Sequence, residues 1–462
     1  MREAEPATRE RPARTLLVVA YFFPPLGGGG VQRTVKFVKY LRPLGWRAEV
    51  VTVRAAGSWV LDPTLAADLP ADTVVHRTAA LTWPDLLALV PGRRAPGRDA
   101  GSPRGRQLGA PAAVPVRSSA AFRWLRRLSS FFLVPDAYAG WFPFALARAR
   151  DRLAAGGVDV LLTTSSPDTA HLVGLVLRER FAVPWVADFR DPWVRRLTFE
   201  APTRLHRRLH TWLEGRVLAR ADRVVVTNEA TRDDFLARHP AVPADRFAVV
   251  PNGYDPEDLT DIRHLPRAPE PRPGGRLVLA HTGLLSGRRT LEPILAALAR
   301  LLAERPLVRE RIHIRQVGPR ESVNDALVSA AGLADCVTFL PPVRHREILT
   351  EMIGADALLL LEAGEPRGSL ITPGKIFEYL ASRRPILAVV PEGPAAALVR
   401  ATGAGAVVEP GDSVGLARLL ARWLDDGPPP SQVRDEDLAP FGRPALAGRL
   451  AEVLDGVARE HV

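Results

Sequence analysis

The sequence predicts an α/β protein made of two doubly wound domains side by side. Three observations predict it. Short apolar runs alternate with helical patterns from Arg14 onward, the mark of strands and helices layered on a parallel sheet. A stretch rich in Pro and charge, about 254–275, interrupts the alternation, which then restarts. The 462 residues suffice for roughly two to three cores.

Residues 1–13 read as a polar lead, and MREAEPATRERPART lacks the apolar segment of a signal peptide. The first strand is expected at Arg14–Phe22, followed by Phe23-Pro24-Pro25-Leu26 and the glycines Gly27, Gly28, Gly29 and Gly30. Val31, Val35, Val38 and Leu41 then share one helical face. With the next strand, Arg47–Val53, this forms a strand, glycine loop, helix, strand unit with a right-handed crossover. Residues 91–118 are rich in Pro, Gly, Arg and Ser without apolar period and read as an insertion, with regular structure resuming at Phe122. Further strands are expected at Val158–Ser165, Val183–Phe189, Arg223–Asn228 and Phe247–Gly253. The second domain should contribute Arg276–Gly283, Arg311–Gly318, Cys336–Leu340, Asp356–Glu362, Arg384–Val390 and Gly405–Pro410. The expected boundaries are 14–255 and 272–435, with a helix over 436–462 free to return to either domain.

The net charge is +11, yet lysine occurs only at 36, 39 and 375. Neither aromatic residues interleaved with basic ones nor a zinc spacing supports nucleic-acid binding. Attraction to anionic lipid is the better use of the charge. No apolar run reaches membrane-spanning length. The single Cys336 fits a reducing compartment, and a cytoplasmic location follows, at the inner face of the plasma membrane if lipid is bound.

Four segments are candidates for chemistry. The loop Gly27–Gly30 lets backbone approach a ligand, and the helix after it favours an anion; its spacing is not the dinucleotide fingerprint. Asp188, Phe189, Arg190, Asp191, Pro192 and Trp193 follow a strand at its carboxyl end, where open α/β sheets bind ligands. Ser165 and Ser166 end the preceding strand in the same way, and His171 falls on the next helix, where the plainer reading is a partly exposed structural histidine. Ser369–Gly393 places Lys375 in the first turn of a helix, next to the positive end of its dipole. That placement suits a lysine sharing the site with an anion. Glu378, three residues on, shares its face, and a cation with a carboxylate fits the phosphate and ribose of a nucleotide. Finally, the strand ending at Gly283 leads to Arg288 and Arg289, whose guanidiniums can pair with phosphate.

In this order, VPWVADFRDPW, KIFEYLASRRPILAV, Val134–Ala149, Val224–Phe235 and Val250–Asp255 resemble family 4 of the GT-B glycosyltransferases over about 14–455. The resemblance implies the GT-B fold: two Rossmann-like domains facing each other across a cleft, with the donor on the second and the acceptor on the first. It implies sugar transfer from a nucleotide diphosphate sugar to a hydroxyl, with retention and without a metal or other cofactor. By position, Glu378 matches a ribose-binding glutamate, Arg289 a lysine that contacts the diphosphate, and the glycine loop one that faces phosphates and acceptor. Thr372 and Pro373 precede Lys375 as in one branch of the family. The sequence departs from the family at Leu370, where a second glutamate is usual, at Leu284, where arginine is usual, and at Thr163–Ser166, where histidine is usual.

Together these readings give a mechanism. Lys375 and Arg289 stabilise the leaving diphosphate, and Arg288, Gly283, Thr372, Pro373 and Glu378 complete the donor site. Asp188 and Asp191 act at the reacting sugar, with Arg190, Ser165, Ser166 and His171 on the acceptor side. The expected partners are a nucleotide sugar and a lipid-linked or small-molecule acceptor, in cell-surface polysaccharide or glycolipid synthesis. Phe122–Val134, which interleaves arginines with Trp124, Leu125, Leu128, Phe131 and Phe132, reads either as an ordinary buried helix with its arginines outside or as a membrane contact. Two other readings compete: transfer to a small soluble natural product, and a GT-B module that binds without catalysing.

Overall fold

Two all-parallel sheets organise the chain, one of seven strands and one of six. The computed structural model describes residues 14–54, 61–81, 131–197, 199–260, 276–364 and 368–461. The lead 1–13, the insertion 91–118 and the candidate membrane segment up to residue 130 lie outside the described residues.

The first sheet comprises β1 (Arg14–Val19), β2 (Trp46–Val53), β3 (Val74–Thr78), β4 (Val160–Ser165), β5 (Trp185–Phe189), β6 (Arg223–Val226) and β7 (Phe247–Val249), in the order β3-β2-β1-β4-β5-β6-β7. The second comprises β8 (Leu277–Thr282), β9 (Ile312–Val317), β10 (Val337–Leu340), β11 (Ala357–Leu361), β12 (Ile386–Val389) and β13 (Gly405–Val408), in the order β10-β9-β8-β11-β12-β13. β1, β4, β5 and β11 are buried along nearly their whole length, as strands covered by helices on both faces must be. Val18 pairs with Val50 on one side and Leu162 on the other. In each sheet the strand order reverses at one point, between β1 and β4 and between β8 and β11. Open sheets bind their ligands in the crevice at such a point.

Sequence reading missed β3. Its five residues, VVHRT, run exposed, half-buried, half-buried, exposed, buried; at a sheet edge no continuous apolar run is needed. The Pro-rich connection 254–275 was expected to lack structure, but Pro256–Thr260 is a short helix.

The final helix, Arg443–Glu460, packs on the first domain. Leu446, Leu450, Leu454 and Val457 join the core built on the first sheet. Asp455 accepts from Arg14 at 2.6 Å and from the Trp46 indole at 2.9 Å. Tyr254 and Gly442 pair where the chain crosses between domains, with Tyr254 N donating to Phe441 O at 3.1 Å and Arg443 N to Tyr254 O at 2.9 Å.

Candidate donor and acceptor site

Hydrogen bonds between the sheets' carboxyl edges bring the site together. Asn228, just beyond β6, donates to Leu370 O at 3.0 Å and to the Thr372 hydroxyl at 3.2 Å, and the Thr231 hydroxyl donates to Leu370 O at 3.2 Å. Gln32, on the helix Gly29–Leu41 after the glycine loop, lies 3.3 Å from His345 Nδ1 at the start of the helix His345–Ile353. Thr372 is therefore tied to the opposite domain, and Pro373 is buried beside it.

On the second domain, Gly283 ends β8 with φ +104°, a conformation that favours glycine. Lys375 opens the helix Lys375–Ser382. Its Nζ lies 2.6 Å from His281 Nε2 and donates to Thr282 O at 3.2 Å. His281 is wholly buried and bonds through Nδ1 to the Gln316 carboxamide oxygen, while Gln316 donates to Gly283 O at 2.8 Å. Burial, helped by the Arg289 charge and opposed by Glu362, pushes the Lys375 amine down to about 7. Burial and Lys375 hold His281 well below the usual imidazole range. Arg289 turns inward from the exposed turn at Arg288 and pairs with Glu362 at 2.6 Å, at the end of β11. Two cations thus converge at the switch point of the second sheet.

Glu378 shares the Lys375 helix but not its partners. It lies 3.6 Å from His345 Nε2, which is also 3.6 Å from Asp258. Burial pulls His345 down, but Glu378 and Asp258 outweigh it and raise the imidazole to about 9. Burial raises the Glu378 carboxyl, against the pull of His345 and Arg443. Asp258 also meets Lys36, whose ammonium pairs with Asp255 at 2.5 Å and Asp68 at 2.8 Å. Arg443, at the start of the final helix, is pushed down to about 10 by burial and by Arg33, with Glu378 opposing.

On the first domain, Asp188 is 3% exposed. Both its oxygens hold Arg33, at 2.8 and 3.1 Å, and one also accepts from Thr164 at 2.9 Å. Arg33 continues to Val250 O, Pro251 O and Asn252. Asp188 is accordingly the anchor of a buried network that ties the glycine-loop helix to the strand edge. Arg190 lies against the glycine loop: a Cβ on Gly30 would sit 2.7 Å from its Nη1. Burial lowers this half-buried guanidinium, with Asp191 and Asp188 opposing, and it has no hydrogen-bonding side-chain partner among the described residues. Asp191 is half-buried next to it. Of the glycines, Gly28 has φ +103° and a Cβ there would meet nothing within 4 Å, whereas Gly30 meets Arg190. Ser166 accepts from Arg196 at 2.6 Å, and Arg196 pairs with Asp168 at 2.8 Å. The Ser165 hydroxyl is buried without a partner. His171 is not partly exposed, as expected from sequence, but wholly buried, its Nδ1 2.8 Å from the Thr163 hydroxyl and its ring 4.2 Å from Phe189. Burial drives it down to about 3, so it stays neutral. Thr163 and His171 pair because the helix folds straight back over its own strand.

Sequence reading missed Arg33, His281, Gln316, His345 and Glu362. Each lies inside a helical or strand pattern, and only the fold brings it beside a site residue. Among the described residues, no cluster of three His, Cys, Asp or Glu is placed to hold a metal ion, and no helix is long and apolar enough to cross a membrane.

Comparison with known proteins follows the same division. A family model described as Glycosyltransferase Family 4 matches residues 96–258, and one described as Glycosyl transferases group 1 matches residues 277–426. A D-inositol 3-phosphate glycosyltransferase of Geodermatophilus obscurus is 29% identical over 267 residues, 54% of this chain and 56% of the relative. That of Streptomyces coelicolor is 30% identical over 237 residues, 46% of this chain and 50% of the relative. The chain thus spans about half the length of the curated relatives it matches. Among solved structures, α,α-trehalose 6-phosphate synthase from Burkholderia multivorans superposes with a TM-score of 0.62 at 16% identity, covering 98% of both chains. Anabaena Alr3699/HepE in complex with UDP-glucose gives 0.55 at 16% identity, covering 96% of this chain and 97% of that one. With one family model on each sheet and the whole length superposing on two-sheet chains of this kind, the protein belongs to glycosyltransferase family 4 and has the GT-B fold.

Proposed function

We propose that the chain moves a sugar from a nucleoside diphosphate sugar to a hydroxyl acceptor, with retention at the anomeric carbon. The observation that carries this reading is the convergence of Lys375 and Arg289 on the Gly283 turn, at the switch point between β8 and β11. Cations fixed in a partly dry crevice stabilise charge that builds on a departing diphosphate. Family membership supports the donor class, as does the UDP-glucose named with the Anabaena protein of the same fold.

Before a donor arrives, Glu362 balances Arg289 and His281 accepts from Lys375. On binding, the diphosphate becomes the anion that both cations serve, and Glu378 accepts from the ribose hydroxyls. The leaving phosphate takes the acceptor's proton, so the chain itself needs no general base. Protein cations do the work that a metal ion does elsewhere. Arg190, beside the glycine loop, holds the acceptor side, with Asp191 next to it. Asp188 acts through Arg33 rather than on the sugar.

The acceptor is a hydroxyl carried by a lipid or by a small soluble molecule. The relatives' name, D-inositol 3-phosphate glycosyltransferase, favours a phosphorylated polyol as the second reading.

The test is a thermal-shift panel of UDP, GDP, TDP and their sugar conjugates on wild type and Lys375→Ala. One nucleotide family should stabilise wild type, by about 2.7 kcal/mol at a hundredfold excess over Kd, and much less so the variant. If no nucleotide shifts wild type at millimolar concentration, the donor-site assignment is wrong.

A further inference from the structure

The helix Arg204–Arg220 follows the Asp188–Trp193 segment and turns one face inward. His210, Glu214, Val217 and Leu218 are buried. Trp193 donates to His210 Nδ1 at 3.1 Å, and Val194 N donates to Glu214 at 3.0 Å. The opposite face does not fit a water-facing helix. Leu205, Leu209 and Trp212 recur at i, i+4 and i+7, on one stripe, and are 72%, 38% and 56% exposed. Phe131 lies edge-on to His206, 5.2 Å away, and brings Phe132, 75% exposed, to the same region. Five of the large exposed apolar side chains therefore gather in one patch, where scattered single ones are the norm.

The charge around the patch has one sign. Arg204, Arg207 and Arg208 are exposed, and their guanidiniums have no acidic partner among the described residues. Arg207, Arg208 and Arg216 wall a shallow groove of about 550 Å³ beside Trp212. Toward the far end Arg216 pairs with Glu179 at 2.5 Å.

We propose that this face, Leu205, Leu209, Trp212 and Phe132 ringed by Arg204, Arg207 and Arg208, lies against an anionic lipid surface. A bilayer supplies both halves of the complement: acyl chains for a shallow apolar wedge and phosphates for guanidiniums. Tryptophan is at home in that interface. A second copy of the chain would set arginine against arginine. Because the helix packs on Trp193 and Val194, which follow Arg190 and Asp191 directly in the chain, docking brings a lipid-carried acceptor toward the acceptor side. The inference rests on the transfer reading only for that last consequence.

The test is co-sedimentation of the full chain with vesicles of phosphatidylcholine alone, or of equal parts phosphatidylcholine and phosphatidylglycerol. Wild type should pellet with the anionic vesicles, weakly with the neutral ones, and less as salt rises. Leu205→Ser/Leu209→Ser/Trp212→Ser should weaken binding by about tenfold or more. Each of Arg204→Gln, Arg207→Gln and Arg208→Gln should weaken it by about fivefold. A UDP thermal shift on the same samples reports folding and the donor site. Wild type that shifts with nucleotide but ignores anionic vesicles overturns the docking surface and leaves the transfer reading intact. Vesicle binding without any nucleotide shift does the reverse. Variants that pellet like wild type, or a wild type that dimerises through the patch without lipid, also overturn the proposal.

Discussion

Lys375 Nζ lies 2.6 Å from His281 Nε2. An ammonium can only donate, so Nε2 must be the acceptor and the imidazole proton must sit on Nδ1, facing the Gln316 oxygen. Gln316 is fixed in turn by donating to Gly283 O. The chain of donors therefore runs one way, from the amine down to the turn that ends β8, and it aims the amine without adding a charge.

With its amine lowered to about 7, Lys375 is partly neutral in the empty site at neutral pH. A bound diphosphate favours the ammonium and takes up a proton. Affinity is full below about pH 7 and weakens above it by up to about tenfold per pH unit. Calorimetry in buffers of different ionisation enthalpy should count the proton taken up at pH 7.5, and Lys375→Arg should flatten the profile. A wild-type profile flat from pH 6.5 to 9 would contradict this account.

His345 makes a second pH-dependent contribution, to stability. Its folded value of about 9 lies above that of a free imidazole. Its contribution is thus complete below about pH 6.5 and is lost as pH rises through about 9. After solvent screening it amounts to about 2 kcal/mol or less. Urea melts of wild type and His345→Gln should differ most at pH 6 and converge by about pH 10.

Asp188 separates a structural from a chemical role. Its side chain and that of Arg33 are 4% and 1% exposed, and unpairing a buried charge costs about 3–5 kcal/mol. Asp188→Asn should lower the melting temperature by several degrees. Restored fold without restored rate, for example at low temperature, would reassign Asp188 to the chemistry.

Gly30→Ala probes the acceptor side. Its new methyl meets the mobile end of Arg190, not backbone, so stability should change by less than about 1 kcal/mol. The guanidinium must move, and transfer should fall by about tenfold or more while nucleotide affinity holds. Unchanged transfer would remove Arg190 from the site.

Most of the fold was legible because buried parallel strands write themselves as apolar runs. β5 and β11 appear as WVADF and ALLLL, and each lies within its expected range. β3 escaped because an edge strand spends its alternate residues on solvent. The same logic divides the site. Lys375, Arg289 and Arg190 stand at the ends of elements, where polar residues after an apolar run attract notice. His281 and Glu362 lie at strand ends too, but one is hidden within the apolar run LVLAHT and the other in LLLLE. Their partners, at Lys375 and Arg289, are 94 and 73 residues away, and no periodicity links them. Asp188 was read as acting at the reacting sugar, and nothing local reveals that Arg33, 155 residues earlier, pairs with it.

Of the chain's three lysines, Lys36 and Lys375 lie at the seam between the domains and Lys39 one turn further along the Lys36 helix. Lys36 and Lys39 are tied up by Asp68, Asp255 and Glu257, and Lys375 by His281. A lysine-specific protease therefore finds its cleavage points only there, and the 4% exposed Lys36 side chain is closed to it while the seam is shut. Digestion at Lys36 then becomes a clock for opening: a cut there records a moment when that ammonium has left Asp255 and Asp258, and any ligand that holds the two halves together slows it.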